Sequence, residues 1–150
     1  MNWDLLFGAT NAAALVAWIG LAALPRTKLL LSAVLYAGVG LLCLTYAVLL
    51  PLLVTASVDP GLPPGAASQA ANFTTIEGIR AIFASDGGVV VGWTHYLAFD
   101  LFAGLWIARD ADRKHMSRWV QLPILFATLM AGPIGLLIWL VARGRGEAAR

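Results

Sequence analysis

Residues Leu29–Val54 read LLLSAVLYAGVGLLCLTYAVLLPLLV, and they contain no Asp, Glu, Lys, Arg or His. A helix needs about 20 apolar residues to cross the roughly 30 Å hydrocarbon core of a bilayer. In lipid the backbone amides and carbonyls must be hydrogen-bonded within the protein, and a helix satisfies its own. The stretch therefore predicts a transmembrane helix.

Three more apolar windows of at least 20 residues lie on either side of this stretch: Leu5–Leu24, Val89–Ala108 and Val120–Ala142. The chain of 150 residues is 60% hydrophobic and 12% charged, and its mean hydropathy is +0.81. Soluble domains have about 25% charged residues, so a soluble enzyme is excluded. The predicted fold class is all-α, a polytopic membrane protein with four transmembrane helices in a single domain, residues 1–150.

The connection between the second and third windows, Thr55–Gly88, is the longest one outside the windows. Its first half, Asp59–Gly65, is rich in Pro and Gly and is typical of turns. In Phe73–Ser85 the apolar residues recur at three-to-four spacing, which predicts an amphipathic interfacial helix between the second and third spans, lying on the membrane surface. Glu77 and Arg80 are three residues apart on this helix and are expected to pair.

Two short loops, Pro25–Lys28 and Arg109–Arg118, together contain six Lys and Arg residues. They join the first window to the second and the third to the fourth, so they are expected on the same side of the membrane. The positive-inside rule then favours non-cytoplasmic positions for both termini. Within Arg109–Arg118, the side chains of Asp110, Asp112, Arg113 and Lys114 are expected to be solvated. The net charge of +2 gives no indication of a nucleic-acid partner.

Only the third window contains ionisable residues, His95 and Asp100. An unpaired Asp at the centre of a span costs roughly 2.5–3.5 kcal/mol, and such residues usually face the bundle interior and have a role. The structural alternative is a hydrogen bond from Asp100 to the Leu129 carbonyl, which Pro133 leaves without its usual amide partner.

Helical periodicity separates the two ionisable residues of the third window. At 100° per residue, Asp100 shares one face with Trp93, Tyr96, Leu97, Gly104 and Ile107. His95 lies on the opposite face with Phe99, Phe102 and Trp106. A direct contact between His95 and Asp100 is therefore not expected.

No cofactor is expected from the motifs of the sequence. The single Cys43 excludes an intramolecular disulfide and a multi-cysteine metal site. Haem ligation by His95 would need a second axial ligand, and the other histidine, His115, lies in the loop at the opposite end. The sequence contains no P-loop, zinc motif or nucleophile elbow.

Two stretches, Trp93–Gly104 and Gly132–Leu137, resemble a small four-helix membrane family that includes the plant abscisic-acid-deficient-4 protein, linked to neoxanthin synthesis. Residues His95–Phe102 match the family core His–x–Leu–Ala–x–Asp–Leu–Phe, and Glu77–Ile79 precedes them. The resemblance extends from about residue 7 to residue 142. Because the chain is short and has no transit peptide, a bacterial inner-membrane member is expected.

The resemblance implies a redox-neutral isomerisation of a carotenoid end group. In the conversion of violaxanthin to neoxanthin an epoxide opens and the polyene loses a proton, which requires an acid and a base but no metal or nucleotide. The resemblance suggests Asp100 as the acid and His95 or Glu77 as the base or its orienting group. The expected substrate-binding residues are Trp93, Tyr96, Phe99, Arg80 and Gly104.

The alternative is a non-catalytic membrane protein that binds a carotenoid, a quinone or a lipid, or that assists a pigment enzyme. A proton-coupled carrier is a weaker alternative, because the other spans contain few polar residues. The expected partners are a carotenoid or another isoprenoid lipid and membrane lipids. A second copy of the chain or a pigment enzyme is a further expected partner.

Overall fold

The computed structural model describes residues 1–54, 58 and 73–145, and every regular element within them is a helix. The predicted turn Asp59–Gly65 lies outside the described residues. The elements, in chain order, are α1 (Trp3–Ala23), α2 (Lys28–Ala33), a π-helical segment (Val34–Gly40), α3 (Leu41–Val54), α4 (Ile76–Ile82), α5 (Asp86–Arg113), α6 (Arg118–Met130) and α7 (Gly132–Arg145).

Polar side chains at N-cap positions fix where the long helices begin. The side chain of Asn2 accepts from the Leu5 amide, that of Thr27 from the Leu30 amide, and that of Ser85 from the Gly88 amide. Each satisfies one of the amides that a helix start leaves without a partner.

Three helices are long and apolar enough to cross a membrane: Trp3–Ala23, Lys28–Leu53 and Asp86–Arg113. The second of these consists of α2, the π-helical segment and α3. Three of the four predicted spans thus correspond to helices of the required length, and the chain is an all-helical membrane protein.

The fourth window, Val120–Ala142, differs from the prediction because it forms two helices instead of one. Ala131 has an extended backbone (φ −157°, ψ 80°) between α6 and α7. Pro133 has no amide hydrogen to continue the helical ladder from α6. At 1.5 Å per residue the 13 residues of α6 and the 14 residues of α7 each extend only about 20 Å.

Contacts with α5 show that α6 and α7 form an antiparallel hairpin. Near the start of α6, the Gln121 amide donates to Asp112 at 3.2 Å, close to the end of α5. At the end of α6, the Tyr96 hydroxyl donates to the Met130 carbonyl, half-way along α5. Helix α7 then returns, since the Trp139 indole donates to Asp110 at 3.2 Å.

This hairpin determines where the two ends of the described chain lie in the bundle. Arg143, near the end of α7, pairs with Asp110 at 2.9 Å, at the same end of the bundle as the two basic loops. Trp3, at the start of α1, lies against Gly87 at the other end. The two ends of the described chain are therefore on opposite ends of the bundle, whereas a full fourth span would have placed them together.

Candidate functional site

Asp100 lies half-way along α5 and is 8% exposed. Its carboxyl group lies against Gly132, the first residue of α7. A Cβ atom built on Gly132 would overlap Oδ1 and lie 2.6 Å from Cγ of Asp100. Only glycine permits this close approach. The contact therefore depends on both residues, on glycine at position 132 and on the carboxyl group at position 100.

Asp100 and Tyr96 satisfy backbone groups at the hairpin tip. The Gly132 amide is a hydrogen-bond partner of the Asp100 carboxyl, as is the Tyr96 hydroxyl. The single proton of the Tyr96 hydroxyl also has the Met130 carbonyl within reach, at 3.3 Å. A helix end within a membrane-spanning bundle needs such partners because lipid supplies none. The structural alternative for Asp100 was a bond to the Leu129 carbonyl, and the structure instead places its carboxyl group at the N-terminus of α7.

One oxygen of the Asp100 carboxyl group makes no hydrogen bond to the described residues. Among the described residues its Oδ2 atom has no hydrogen-bond partner, although it is buried. Buried polar atoms are nearly always paired, and an exception requires a physical explanation. A carboxyl oxygen in this position can donate a proton to, or accept one from, a polar atom of a bound molecule.

Trp93 and Tyr96 extend this site toward the N-terminal end of α5. Their rings stack at 5.2 Å between centroids, and the Trp93 indole donates to Asn11 of α1 at 3.0 Å. Phe7 of α1 packs 6.0 Å from Trp93. The predicted face with Trp93, Tyr96 and Asp100 is thus a continuous surface, and its aromatic part is partly exposed.

His95 lies on another face of α5, as the periodicity predicts. Its side chain is exposed, and its ring packs 4.6 Å from Phe99 and 5.3 Å from Tyr46 of α3. The structure therefore does not bring His95 and Asp100 together. A catalytic role for His95 stays a prediction.

Glu77 and Arg80 lie on α4, which is shorter than the predicted 73–85 helix. Both side chains are exposed, and no ion pair joins them within the described part of the chain. Phe73 and Ile76 are 76% and 69% exposed, so an apolar surface is available to a membrane. The proposed roles of Glu77 and Arg80 stay predictions.

Gly104 is one turn from Asp100, and the ring of Trp18 lies over it. A Cβ atom on Gly104 would be 2.6 Å from Cζ3 of Trp18 and 3.1 Å from its Cζ2. Any residue larger than glycine at position 104 would clash with the Trp18 ring, so Gly104 has a packing role. Trp18 is 3% exposed, and its Nε1 atom has no partner among the described residues. Helical periodicity gave no indication of this residue, because Trp18 is simply one apolar residue in an apolar span.

A second polar cluster, the loop-end network, joins α1, α5 and α6 at the basic end. The Arg26 side chain is 3% exposed and pairs with Asp112 at 2.8 Å. It also donates to the side chain of Gln121 and to the carbonyls of Leu21 and Ala108. Burial lowers the pKa of the Arg26 guanidinium, and the hydrogen bond and charge of Asp112 offset part of this effect.

Arg118 completes the loop-end network by donating to the carbonyls of Leu21, Ala22 and Leu24 at the end of α1. Asp112 is exposed, as expected, although it also pairs with the buried Arg26. The expectation of solvated charges in this loop holds less completely for Asp110, which is partly buried and binds Trp139 and Arg143. The sequence shows the charges, but their partners come from helices that are distant in the chain.

Within the described residues, no three His, Cys, Asp or Glu side chains form a group that could hold a metal ion. The fold and the site define a polytopic α-helical membrane protein with a buried carboxyl group at the centre of a span. The chain belongs to the ABA DEFICIENT 4-like family, whose model matches residues 5–139, as the resemblance indicated. Membership implies a membrane protein related to carotenoids or xanthophylls. No curated protein and no solved structure matches the chain significantly.

Proposed function

We propose that this protein isomerises the oxygenated end group of a carotenoid by acid–base chemistry, with Asp100 as the group that transfers the proton. The observation that supports this proposal is the Oδ2 atom of the buried Asp100 carboxyl, which has no hydrogen-bond partner in the described part of the chain. The rest of that side chain is held by Gly132 and Tyr96. A fixed carboxyl with one available oxygen is a suitable proton donor for an epoxide.

The chemistry balances with one carboxyl group. The protonated carboxyl gives its proton to the epoxide oxygen, a ring C–O bond breaks, and a hydroxyl forms. The adjacent polyene carbon then loses a proton to the carboxylate, the electrons of that C–H bond form the new double bond, and the carboxyl is restored. Asp100 thus serves as acid and then as base, which agrees with the position of His95 on another face of α5.

The test is pigment conversion in membranes that contain epoxidised and plain hydroxylated carotenoids, analysed by liquid chromatography and mass spectrometry. We expect a new pigment isomer of unchanged mass with the wild-type chain. Asp100→Asn should lower its formation at least about 100-fold, because proton transfer by a positioned group contributes on that order. Asn keeps an oxygen for the Gly132 amide, so the fold should persist.

The matched control is Asp86→Asn, the same substitution in the same helix at an exposed position of its first turn. This variant should convert pigment as the wild type does. Conversion by Asp100→Asn at the wild-type rate would remove Asp100 from the mechanism. The absence of any new isomer with the wild-type chain would reject the isomerase proposal.

A second candidate function is pigment binding without conversion, and a separate feature of α5 favours it. His95, Phe99 and Tyr46 form an exposed ring cluster between α5 and α3, where an imidazole and a phenol can contact an oxygenated ring in the membrane. Pigment that co-purifies unchanged, and that His95→Phe releases, would support this function. His95→Phe should lower conversion less than about threefold if Asp100 alone transfers the proton.

We also propose a bacterial inner membrane as the location, with the basic loops and the end of α7 in the cytoplasm and the start of α1 outside. The support is that Arg26, Arg118 and Arg143 all lie at one end of the bundle. Reporter fusions test this orientation. A reporter that is active only in the cytoplasm should work when fused after α7 and fail when fused before α1, and the reverse pattern would contradict the proposal.

A further inference from the structure

Of the buried side-chain atoms without a partner among the described residues, two lie on the apolar spans away from the basic end: Asp100 Oδ2 and Trp18 Nε1. Trp18 of α1 is 3% exposed, and its Nε1 atom has no hydrogen-bond partner among the described residues. The same is true of Asp100 Oδ2. An indole N–H can only donate, so a partner for it must supply an acceptor.

The packing of Trp18 places it beside the carboxyl group along α5. Its Cζ2 atom would lie 3.1 Å from a Cβ atom on Gly104, and Nε1 is two bonds from Cζ2 in the indole. Gly104 follows Asp100 by one helical turn, about 6 Å along the axis, on the same buried face. Helices α1 and α5 run in the same direction, and the Trp18 ring packs on α5 one turn beyond Asp100.

We propose that Trp18 Nε1 and Asp100 Oδ2 together form a binding site for one oxygen atom, and that Trp18 is a positioning residue of the proposed reaction. This inference rests on the proposed function for the identity of the ligand, an oxygenated carotenoid end ring. The oxygen accepts the indole N–H while it receives the proton of the carboxyl group. As the C–O bond breaks, negative charge develops on this oxygen, and a fixed donor stabilises it.

The two sources of such an oxygen are the substrate and a water molecule, and spectroscopy distinguishes them. The indole ring vibrations report whether the N–H group is hydrogen-bonded, and the wild-type minus Trp18→Phe Raman difference spectrum isolates Trp18. A hydrogen-bonded signal without pigment identifies water as the resting occupant. A signal that becomes hydrogen-bonded only with an oxygenated pigment identifies the substrate. An indole N–H that stays free in both samples overturns the proposal.

The functional experiment compares Trp18→Phe with Trp139→Phe in purified protein that has been shown to be folded. Trp139 is also buried, but its N–H is bound to Asp110 at the basic end, so it controls for the loss of an indole. We expect Trp18→Phe to lower kcat at least about tenfold, by analogy with the loss of one donor from an oxyanion site. KM should change less, whereas Trp139→Phe should leave kcat unchanged.

A binding measurement keeps this test separate from the test of isomerase activity. The wild-type chain should bind a hydroxylated or epoxidised carotenoid more tightly than a hydrocarbon carotene of the same length. Trp18→Phe should reduce this preference about three- to tenfold, the usual effect of one hydrogen bond, and Trp139→Phe should retain it. An unchanged preference in Trp18→Phe would contradict the proposed oxygen site even if the isomerase proposal holds. A loss of preference without any conversion would support the site and reject the isomerase.

Discussion

The loop-end network and the hairpin tip are both polar clusters that join α5 to α6 or α7, but they differ in how many hydrogen bonds they make between helices and in where they lie. At the basic end, Arg26 makes hydrogen bonds to two side chains and two carbonyls, although its Nη2 atom is buried without a partner among the described residues. At the tip, Asp100 contacts Gly132 and Tyr96, and its Oδ2 atom is likewise without a partner within the described part of the chain. Because both clusters contain such an atom, it is the position of a carboxyl group at the centre of a span that indicates chemistry at the tip.

The location of the two clusters makes the distinction. The loop-end network joins helix ends at the margin of the bundle, where the Asp112 side chain that pairs with Arg26 is 39% exposed. Asp100 lies at the centre of a span, where retaining a carboxyl group costs the most. The backbone of the hairpin tip accounts for one of its oxygens, and the second oxygen is the one for which we propose a function.

The largest expected effect is that of Gly132→Ala, which breaks the tip. The new methyl group would occupy the position of the Asp100 carboxyl. We expect a loss of about 2–4 kcal/mol in the free energy of unfolding, from overpacking and from the lost cap, together with the loss of pigment conversion. Thermal unfolding in detergent micelles, followed by circular dichroism, measures the stability.

Gly8→Ala is the control, because a Cβ atom at Gly8 meets nothing within 4 Å. It should leave stability equal or raise it by up to about 1 kcal/mol through helix propensity. If both alanine variants melt together, the contact between Gly132 and Asp100 is not a close one.

Arg26→Gln weakens the other cluster. It removes the pair with Asp112 and several carbonyl contacts, and we expect a loss of about 2–3 kcal/mol in stability. Conversion per folded molecule should not change. Arg109→Gln, an exposed position at the same end, should cost less than about 0.5 kcal/mol. A loss of specific activity in folded Arg26→Gln protein would show that the two clusters are coupled.

Tyr96→Phe tests whether the Tyr96 hydroxyl stabilises the hairpin backbone, orients the Asp100 carboxyl group, or does both. The variant loses the hydroxyl that binds Met130 and Asp100, and we expect a cost of about 1 kcal/mol in stability. Conversion should fall about tenfold, since the carboxyl group then loses part of its orientation. Tyr36→Phe is the control because that side chain is 74% exposed. Equal rates in the two variants would assign Tyr96 to the hairpin backbone alone.

The smallest expected effect is that of pH on the loop-end network. Because burial lowers the folded pKa of Arg26 below its ordinary value, its charged form is disfavoured by folding, and this cost is constant at all pH values well below the folded pKa. Stability would increase only at a strongly alkaline pH, where the folded guanidinium loses its proton. The destabilisation by Arg26→Gln should therefore be the same at pH 6 and pH 9. A change larger than about 1 kcal/mol would indicate a coupled acidic group.

Much of the helical architecture was predictable, since each of the windows beginning at Leu5, Leu29 and Val89 corresponds to a long apolar helix. The separation of His95 from Asp100 was predictable from helical periodicity alone. The hairpin was not predicted, because Val120–Ala142 is as apolar as a span, and apolar composition does not show the direction of the chain. The Gly132–Pro133 pair was the local signal of a break.

The sequence was enough to predict that Asp100 belongs to the site, but it was not enough to predict which residues surround Asp100. Asp100 is conspicuous in the sequence because it is a carboxyl group in an apolar helix. Its partner Gly132 comes from a helix distant in the chain, and nothing in the sequence shows that this glycine approaches the carboxyl group. The basic end of α7 lies beside the basic loops because the hairpin returns the chain to their end of the bundle.

The most direct test of the distinction between the two clusters compares Asp100→Asn with Asp112→Asn in the same membranes, with stability and pigment conversion measured for each. We predict that Asp100→Asn stays folded within about 1 kcal/mol of the wild type and loses conversion. Asp112→Asn should lose about 1–2 kcal/mol of stability and keep its conversion per folded molecule. Wild-type conversion by Asp100→Asn, or its failure to fold, would contradict the assignment of a functional role to the carboxyl group at the hairpin tip.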